Sequence, residues 1–311
     1  MSVGGVSLNA MELFASQAFA SRLEYLPEIG STNTYLLEKA NDLTWPDFSV
    51  VLTDNQTAGR GRLDRSWQAQ PGKALAVSVL LRPDGIALSA YGWLPLLAGV
   101  AMKNAVASLI AEAEVGLKWP NDVLVSEEKI SGVLSELASN NAVVVGAGLN
   151  LLQTKAELPI PNATSLALHS VTGFQLDDIA VRYLASFKRL YENFADAQGD
   201  AVKSGLMTDV IESSLTIGKK VLVVLPDETE FEGVASGLDE SDRNPTHGAR
   251  ILFAEKTRIC FGCSGFIAWG YRRRDCLSSA THRPETGITN SYLASSPISF
   301  PLLASAQHQV F

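Results

Sequence analysis

Cysteine is nearly missing: the chain has three, Cys260, Cys263 and Cys276, all close to one end, so residues 1–259 cannot carry a disulfide framework and the usage points to a reducing compartment. Positive charge is also in deficit, with 25 Lys and Arg against 33 Asp and Glu and a formal net charge of −8. That balance argues against an overall nucleic-acid footprint, because sequence-independent affinity comes from cations neutralising phosphates; local basic loops remain compatible with it. No uninterrupted apolar run reaches the roughly 20 residues of a membrane-spanning helix. Met1–Ala10 also lacks the basic region and long apolar stretch of a secretory signal. The expectation is a cytoplasmic protein with no membrane or nucleic-acid partner.

Apolar side chains are plentiful. Hydrophobic residues make up 46% and charged residues 19% of 311 positions, a composition that supports a globular core and excludes global disorder. Strands are expected over Val50–Asp54, Ala74–Leu81 and Ala142–Gly148, where aliphatic and β-branched residues run between turn formers. Helices are expected over Ser31–Ala40, with Ser31 or Thr32 as N-cap, and over Tyr91–Ala111, Asp177–Ala197 and Val202–Ser213. Lys118–Leu152 reads as strands in succession, which suits a mixed α+β sheet better than a doubly wound parallel one. From Leu215 the texture changes to short strands, Lys220–Leu225, Glu230–Ser236 and Ala249–Phe253, expected to form a small β domain. The expected units are therefore 1–213, 214–256 and 257–311. The last carries a local charge of +3 against −11 for everything before it and shows no sustained period, so it is expected to be poorly ordered.

Three stretches carry chemistry. The first is Thr53–Trp67, where glycines let the backbone approach a ligand and Arg60, Arg62 and Arg65 supply charge for phosphate oxygens. Trp67 at its end is suited to covering a ring or to anchoring a core. The stretch is neither a Walker loop nor a dinucleotide fingerprint, and alone it reads first as a solvated hairpin with surface arginines. The second is Lys118-Trp119-Pro120-Asn121-Asp122 followed by Lys129-Ile130-Ser131-Gly132, in which 129 − 122 = 7 residues separate a carboxylate from an ammonium. A tight hairpin would bring the two together, either as a surface salt bridge or to serve a phosphate. The third is Val145–Leu151, whose alternating glycines inside a strand pattern suggest a ligand, a backbone or close packing against the sheet. Ser31-Thr32-Asn33 can bind a polar ligand head or simply cap a helix. No nucleophile triad or metal cluster stands out in residues 1–256. Near the C-terminal end, Cys260-x2-Cys263-x12-Cys276-x5-His282 has the spacing of a Cys3His zinc site. It lacks a surrounding hairpin or helix pattern, so unpartnered cysteines are the expectation there.

Together, Gly30-Ser31-Thr32-Asn33, Gln56-Thr57-Ala58-Gly59-Arg60-Gly61-Arg62, Lys118-Trp119-Pro120-Asn121-Asp122, Lys129-Ile130-Ser131-Gly132 and Gly146-Ala147-Gly148-Leu149-Asn150 resemble the biotin protein ligases in order and spacing, over roughly Glu24–Ser236. The resemblance implies a mixed-sheet catalytic domain of the class II synthetase and SH2-like kind, followed by a small SH3-like barrel. It implies biotin and ATP as substrates with Mg2+, formation of biotinyl-5′-adenylate, and transfer to a lysine of a biotin carboxyl carrier protein domain. By the same resemblance Ser31, Thr32, Asn33 and Gln56 contact biotin, and Gly59, Arg60 and Arg62 fold over biotin and the adenylate phosphate. Lys129 holds the carboxylate and α-phosphate, Trp67 and Asn150 lie near adenine, and Asn121, Gly132, Gly146 and Gly148 complete the binding set. Asp122 is assigned to Mg2+ or to the incoming amine, while the metal ligands themselves stay unassigned.

Some relatives carry an N-terminal DNA-binding domain, and about two dozen residues before Tyr25 are too few for one. A single-function ligase is therefore expected. A homodimer through sheet edges is compatible with the sequence but not demanded by it. The rival readings are a lipoate or octanoate ligase of related fold, which the Gly-Arg-Gly-Arg and Lys-Trp-Pro-Asn-Asp blocks disfavour, and a non-catalytic biotin-binding protein, which the retention of Arg60 and Lys129 disfavours.

Overall fold

The structure is a computed structural model that describes residues 13–62, 65–224 and 230–238, together with short paired segments at 251–253, 258–259, 270–272 and 309–310. The Cys-Cys-Cys-His spacing and most of 257–311 lie outside the described residues.

The core is one mixed sheet. Its strands are β1 (Arg22–Tyr25), β2 (Ser49–Thr53), β3 (Ala74–Leu81), β4 (Val115–Lys118), β5 (Asp122–Val125), β6 (Glu128–Leu137) and β7 (Val143–Asn150). They lie side by side in the order β1-β2-β3-β7-β6-β5-β4, and Gln309–Val310 pairs with the far end of β6. Only β1 and β2 run parallel, joined by a helical crossover; every other neighbour in that order is antiparallel. The run of strands expected over Lys118–Leu152 is present as β4 to β7. The sheet as a whole is the mixed α+β architecture that this succession called for.

Alternation along β3, β6 and β7 sorts their side chains onto two faces. Val77, Val79, Val133, Val145, Ala147 and Leu149 are buried in the main core. That core is shared with α3 (Leu94–Ala107) and α4 (Leu176–Asp196), which cover one side of the sheet. The α4 helix starts at a capping box built by Gln175 and Asp178 and presents Ile179, Tyr183, Phe187, Leu190 and Phe194 at helical spacing. On the other side, β3 offers Ala76 and Ser78, β6 offers Gly132, and β7 offers Gly146 and Gly148. These small residues leave a trough instead of a packed layer. The α2 helix (Thr32–Lys39) packs on this second side through Leu36 and Leu37, which join Val51, Leu80 and Val144 in a smaller core at one end of the trough.

Three helices differ from expectation. A short Phe14–Gln17 helix, α1, precedes β1 and was not anticipated. The stretch expected as a helix from Tyr91 begins instead as a 3-10 turn over Leu88–Trp93 and becomes α-helical at Leu94, with Pro95 in the first turn where its missing N–H costs nothing. The α5 helix runs only Leu206–Ser213 because Gly205 adopts φ 79° and sets its start, so the segment from Val202 is turn.

Beyond α5, the strands β8 (Lys220–Val224), β9 (Glu230–Leu238), β10 (Ile251–Phe253), β11 (Arg258–Ile259) and β12 (Gly270–Arg272) form a second sheet in the order β11-β10-β9-β8-β12. The first three match the short strands expected there.

Three buried hydroxyls, those of Ser131, Ser135 and Tyr183, have no hydrogen-bond partner among the described residues, and that of Tyr183 belongs to the main core. Tyr183 Oη is wholly buried there, and burial pushes its pKa upward. Tyr183→Phe is therefore expected to leave the fold intact and raise stability by about 1 kcal/mol, since it removes an unmet desolvation cost while keeping the ring. Equilibrium denaturation showing a loss larger than that would contradict the assignment.

Candidate functional site

The trough on the second face of the sheet is a cleft of about 230 Å³. Its floor is the strip of small residues on β3, β6 and β7. One wall is the start of α2, the opposite wall is the β5–β6 hairpin, and the Thr53–Trp67 loop arches over it. Of the residues singled out from sequence, Ser31, Thr32, Asn33, Gln56, Arg60 and Arg62 line it. So do Trp67, Asn121, Asp122, Lys129, Gly132, Gly146, Gly148 and Asn150. Four separated stretches of sequence thus meet in one place.

Gly59 is the exception. It does not line the cleft but lies at the base of the loop, where a Cβ would fall 2.3 Å from the carbonyl oxygen of Trp67. The loop is a narrow hairpin: Trp67 N donates to Gly59 O at 2.9 Å, and Gly61 N donates to Arg65 O at 2.7 Å. Glycine at 59 lets the two arms close.

The hairpin β5–β6 brings together the carboxylate and ammonium seven residues apart. Lys129 Nζ lies 2.6 Å from Asp122 Oδ1. Two features of the backbone produce this. Ser126 and Glu127 turn the chain with φ of 46° and 71°, the mirror-type turn that matches strand twist. The register then shifts by one residue between Val123 and Leu124, so that Asp122 faces Gly132 while Leu124 faces Lys129. In a regular strand Lys129 and Gly132, three apart, would point to opposite faces; the bulge puts both on the cleft side. A Cβ at Gly132 would lie 3.1 Å from Lys129 Nζ. Both Lys129 and Asp122 are mostly buried, with side-chain exposures of 24% and 21%.

The basic groups crowd this end. Arg62 donates to Asn121 Oδ1 at 3.3 Å, and burial, partly offset by Asp122 and reinforced by Arg65, pushes its pKa down to about 10. It still carries its charge at neutral pH. Burial likewise lowers the pKa of Lys118, against the pull of Asp122. The Trp119–Pro120 peptide between them is cis. Several cations around one carboxylate form a surface suited to an anion bearing more than one charge.

The opposite end is polar but neutral. Ser31 caps α2, accepting from Thr34 N at 3.4 Å. Gln56 Oε1 accepts from Thr32 N at 2.9 Å and lies 3.1 Å from Thr32 Oγ1, tying the loop to the helix start. Ser78 Oγ lies 2.7 Å from Thr32 Oγ1 and 2.6 Å from Asn33 Oδ1. Asn33 Nδ2 donates to Leu134 O at 3.2 Å and to Glu136 Oε2 at 2.9 Å. The Asn33 amide is thus held entirely by protein groups.

The two cleft glycines of β7 make room for side chains. A Cβ at Gly146 would fall 2.0 Å from Asn33 Oδ1, and one at Gly148 would fall 2.4 Å from the indole of Trp67. Asn150 donates to Thr164 O at 2.9 Å and accepts from Gln153 at 3.0 Å, so its amide holds the 153–165 segment beside the cleft. Arg60 reaches away from the cationic end: its Nη2 lies 2.6 Å from Glu136 Oε1.

Sequence reasoning overlooked Glu136, Ser78 and the Pro159–Ala163 rim. For Glu136 and Ser78 a signal existed in strand alternation, since each is polar and in phase with the small residues of its strand. The rim follows β7 as an irregular loop and has no period to read.

Residues 25–150, the stretch from the end of β1 through β7, match the Biotin/lipoate A/B protein ligase family. A biotin–[acetyl-CoA-carboxylase] ligase of Mycobacterium tuberculosis is 38% identical over 224 residues, covering 71% of this chain and 82% of that protein. The chain belongs to the biotin/lipoate A/B protein ligase family. Among solved members, the biotin protein ligase of Aquifex aeolicus in complex with biotin and ATP superposes with a TM-score of 0.65 at 28% identity, over 82% of this chain and 100% of that one. The bifunctional ligase/repressor BirA of Bacillus spizizenii is 32% identical over 186 residues, and the match spans 56% of its length. The family match ends at Asn150, the last residue of the cleft floor, so it contains the loop, the hairpin and both glycines.

Proposed function

We propose that this ligase condenses biotin with ATP to give biotinyl-5′-adenylate and pyrophosphate, then transfers the biotinyl group to a lysine ε-amine of a biotin carboxyl carrier domain. The observation that supports it most strongly is the meeting of the arginine-bearing loop and Lys129 in one cleft, with a neutral polar end at one side and a cationic end at the other.

The neutral end suits the ureido and ring system of biotin. Ser31, Thr32 and Gln56 offer donors and acceptors, and the glycine-lined floor accepts a flat ligand close to the sheet. The valeryl chain then runs towards Lys129. There a biotin carboxylate oxygen attacks the α-phosphorus of ATP, the bond to the β-phosphate breaks, and pyrophosphate leaves. No protein nucleophile is needed, so the chain contributes position and charge. Lys129 faces the charge that develops on the α-phosphoryl oxygens, and Arg62 adds a second cation fixed by Asn121.

Mg2+ binds ATP through phosphates and water and usually takes only one or two protein carboxylates. Among the described residues no group of three metal-binding side chains exists, and Asp122 is the cleft carboxylate nearest the cationic end. The donor set fits an ion carried in by the nucleotide, for which Asp122 would be the protein contact unless it serves the incoming amine instead.

In the second step the acceptor amine attacks the biotinyl carbonyl, AMP leaves, and the amine sheds a proton. Asp122 is placed to orient that amine or take the proton. Asp122→Asn is expected to slow transfer from preformed adenylate roughly tenfold, the scale of one charged hydrogen bond, with less effect on pyrophosphate release. Single-turnover assays with isolated adenylate report the two steps separately, and transfer at the parental rate would remove Asp122 from this role.

We also infer that the β8–β12 sheet is the framework of an SH3-like barrel. The activity is tested by mass spectrometry of a carrier domain incubated with the protein, MgATP and biotin, against the same mixture with lipoate. A mass gain of one biotinyl group only with biotin is the expected result; lipoyl transfer, or none, overturns the reading.

A further inference from the structure

Glu136 has no part in the chemistry above, yet among the described residues it is the one charged side chain that is buried, with no exposed surface. A carboxylate taken out of water destabilises a fold unless both oxygens are paired. Here both are, and by groups from two other parts of the cleft. Oε1 takes the guanidinium of Arg60 at 2.6 Å, from the loop 76 residues earlier. Oε2 takes the amide of Asn33 at 2.9 Å, from the start of α2, 103 residues earlier. Arg60 remains 41% exposed, and its guanidinium also lies 3.4 Å from Thr34 Oγ1. This arm is otherwise tied at its base, by Thr57 N to Ile29 O, Ala58 N to Gly30 O and the Gln56 contacts with Thr32, and at its far end by Arg62 to Asn121 Oδ1 at 3.3 Å, so Glu136 holds the stretch between them.

These contacts make the loop and the carboxylate depend on each other. If the loop lifts, Arg60 leaves and Glu136 keeps a single neutral donor in a buried place, which penalises the lifted state. If Glu136 loses its charge, Arg60 keeps only the long contact to Thr34 Oγ1, and Asn33 donates to a weaker acceptor beside Leu134 O. We propose that Glu136 is a positioning residue that latches the Gly59–Arg62 arm over the cleft and fixes the Asn33 amide beside the biotin-binding end, so that retention of biotin and its adenylate depends on it. The ligand named here rests on the function proposed above; the latch itself does not.

Two measurements on the full-length protein separate those parts. The first needs no ligand: the loop carries trypsin sites after Arg60, Arg62 and Arg65, and cleavage at the last two, present in every variant below, is the readout. Glu136→Gln is expected to speed cleavage there about tenfold, Arg60→Ala to do the same, and the double variant to exceed neither, because residues acting through one contact are non-additive. Glu136→Asp, which keeps the charge on a shorter arm, should fall between. Parental cleavage of Glu136→Gln, or effects of the two single variants that multiply, overturns the latch. Cleavage spread over the whole chain would also overturn it, by showing a general loss of folding. The second is kinetic: Glu136→Gln should raise the KM for biotin about tenfold while kcat and the KM for ATP stay within about twofold, since a lost ground-state contact moves KM alone. Uniform changes in all three overturn the positioning role. Accelerated cleavage in a protein that binds no biotin would leave the latch standing and defeat the proposed function instead.

Discussion

Lys129→Met should reduce biotin-dependent pyrophosphate release by about a thousandfold while leaving the fold and biotin binding nearly unchanged. The size follows from the cost of removing one preorganised donor at a site of developing charge, about 10²–10³ in rate, increased here because a mostly buried Asp122 loses its cation. Methionine keeps most of the length and apolar volume of the lysine stem, so packing against Gly132 survives. The Asp122 carboxylate, left beside the phosphates, becomes a repulsive neighbour. This gives the experiment a second arm. Lys129→Met combined with Asp122→Asn is expected to recover part of the lost rate, because it removes that repulsion. Stopped-time assays of pyrophosphate, with biotin binding followed by calorimetry, check both. A single variant that retains more than about a tenth of parental activity would displace Lys129 from the reacting phosphate.

The second large effect is expected from one methyl group. Gly146→Ala places a Cβ 2.0 Å from Asn33 Oδ1, an atom that cannot retreat because the Asn33 amide is held by Ser78, Leu134 and Glu136. The overlap has to be relieved by moving the start of α2 or by breaking those bonds, at a cost of about 1–3 kcal/mol of stability. Since Thr32 and Ser31 move with it, the KM for biotin should rise about a hundredfold, with ATP handling at the other end affected far less. The three floor glycines should rank. Gly148→Ala meets the Trp67 indole at 2.4 Å, a large ring at the loop end that can be pushed outward, so it should be intermediate. Gly132→Ala meets the flexible tip of Lys129 at 3.1 Å and Asp122 Oδ1 at an ordinary 3.5 Å, and should be the mildest towards biotin. Thermal melts and biotin KM values for the three alanine variants test the order; equal effects would mean that the floor tolerates a methyl anywhere.

Several parts of this site could be read before any coordinates. The hairpin that joins Asp122 to Lys129 follows from turn-bounded strands of the right length, and the N-cap at Ser31 follows from a hydroxyl before an apolar-periodic stretch. The glycines at 146 and 148 stood out as misfits in a strand, because glycine weakens a strand unless something lies against it. What lay against them was not legible: ligand, backbone and side chain leave the same mark, and here the occupants are Asn33 and Trp67. The α5 boundary was misjudged because the composition of Val202–Gly205 does not forbid a helix, while the left-handed backbone at Gly205 does. Gly59 looked like a ligand contact and proves to be a closure point between loop arms, a difference that depends on which strand of the loop faces the cleft.

Local order in the chain dictated the elements and their apolar faces, since burial periodicity and capping are short-range and each residue type states its own preference. It also placed Lys129 near Asp122, because seven residues around a tight turn leave few other arrangements. Which side of the sheet Lys129 would occupy depended on a one-residue bulge opposite Val123 and Leu124. The pairing of Glu136 with Arg60 and Asn33 depended on chain segments 76 and 103 positions away. Both are products of strand register and long-range packing, where a shift of one position reverses every side chain, and no local propensity specifies that shift.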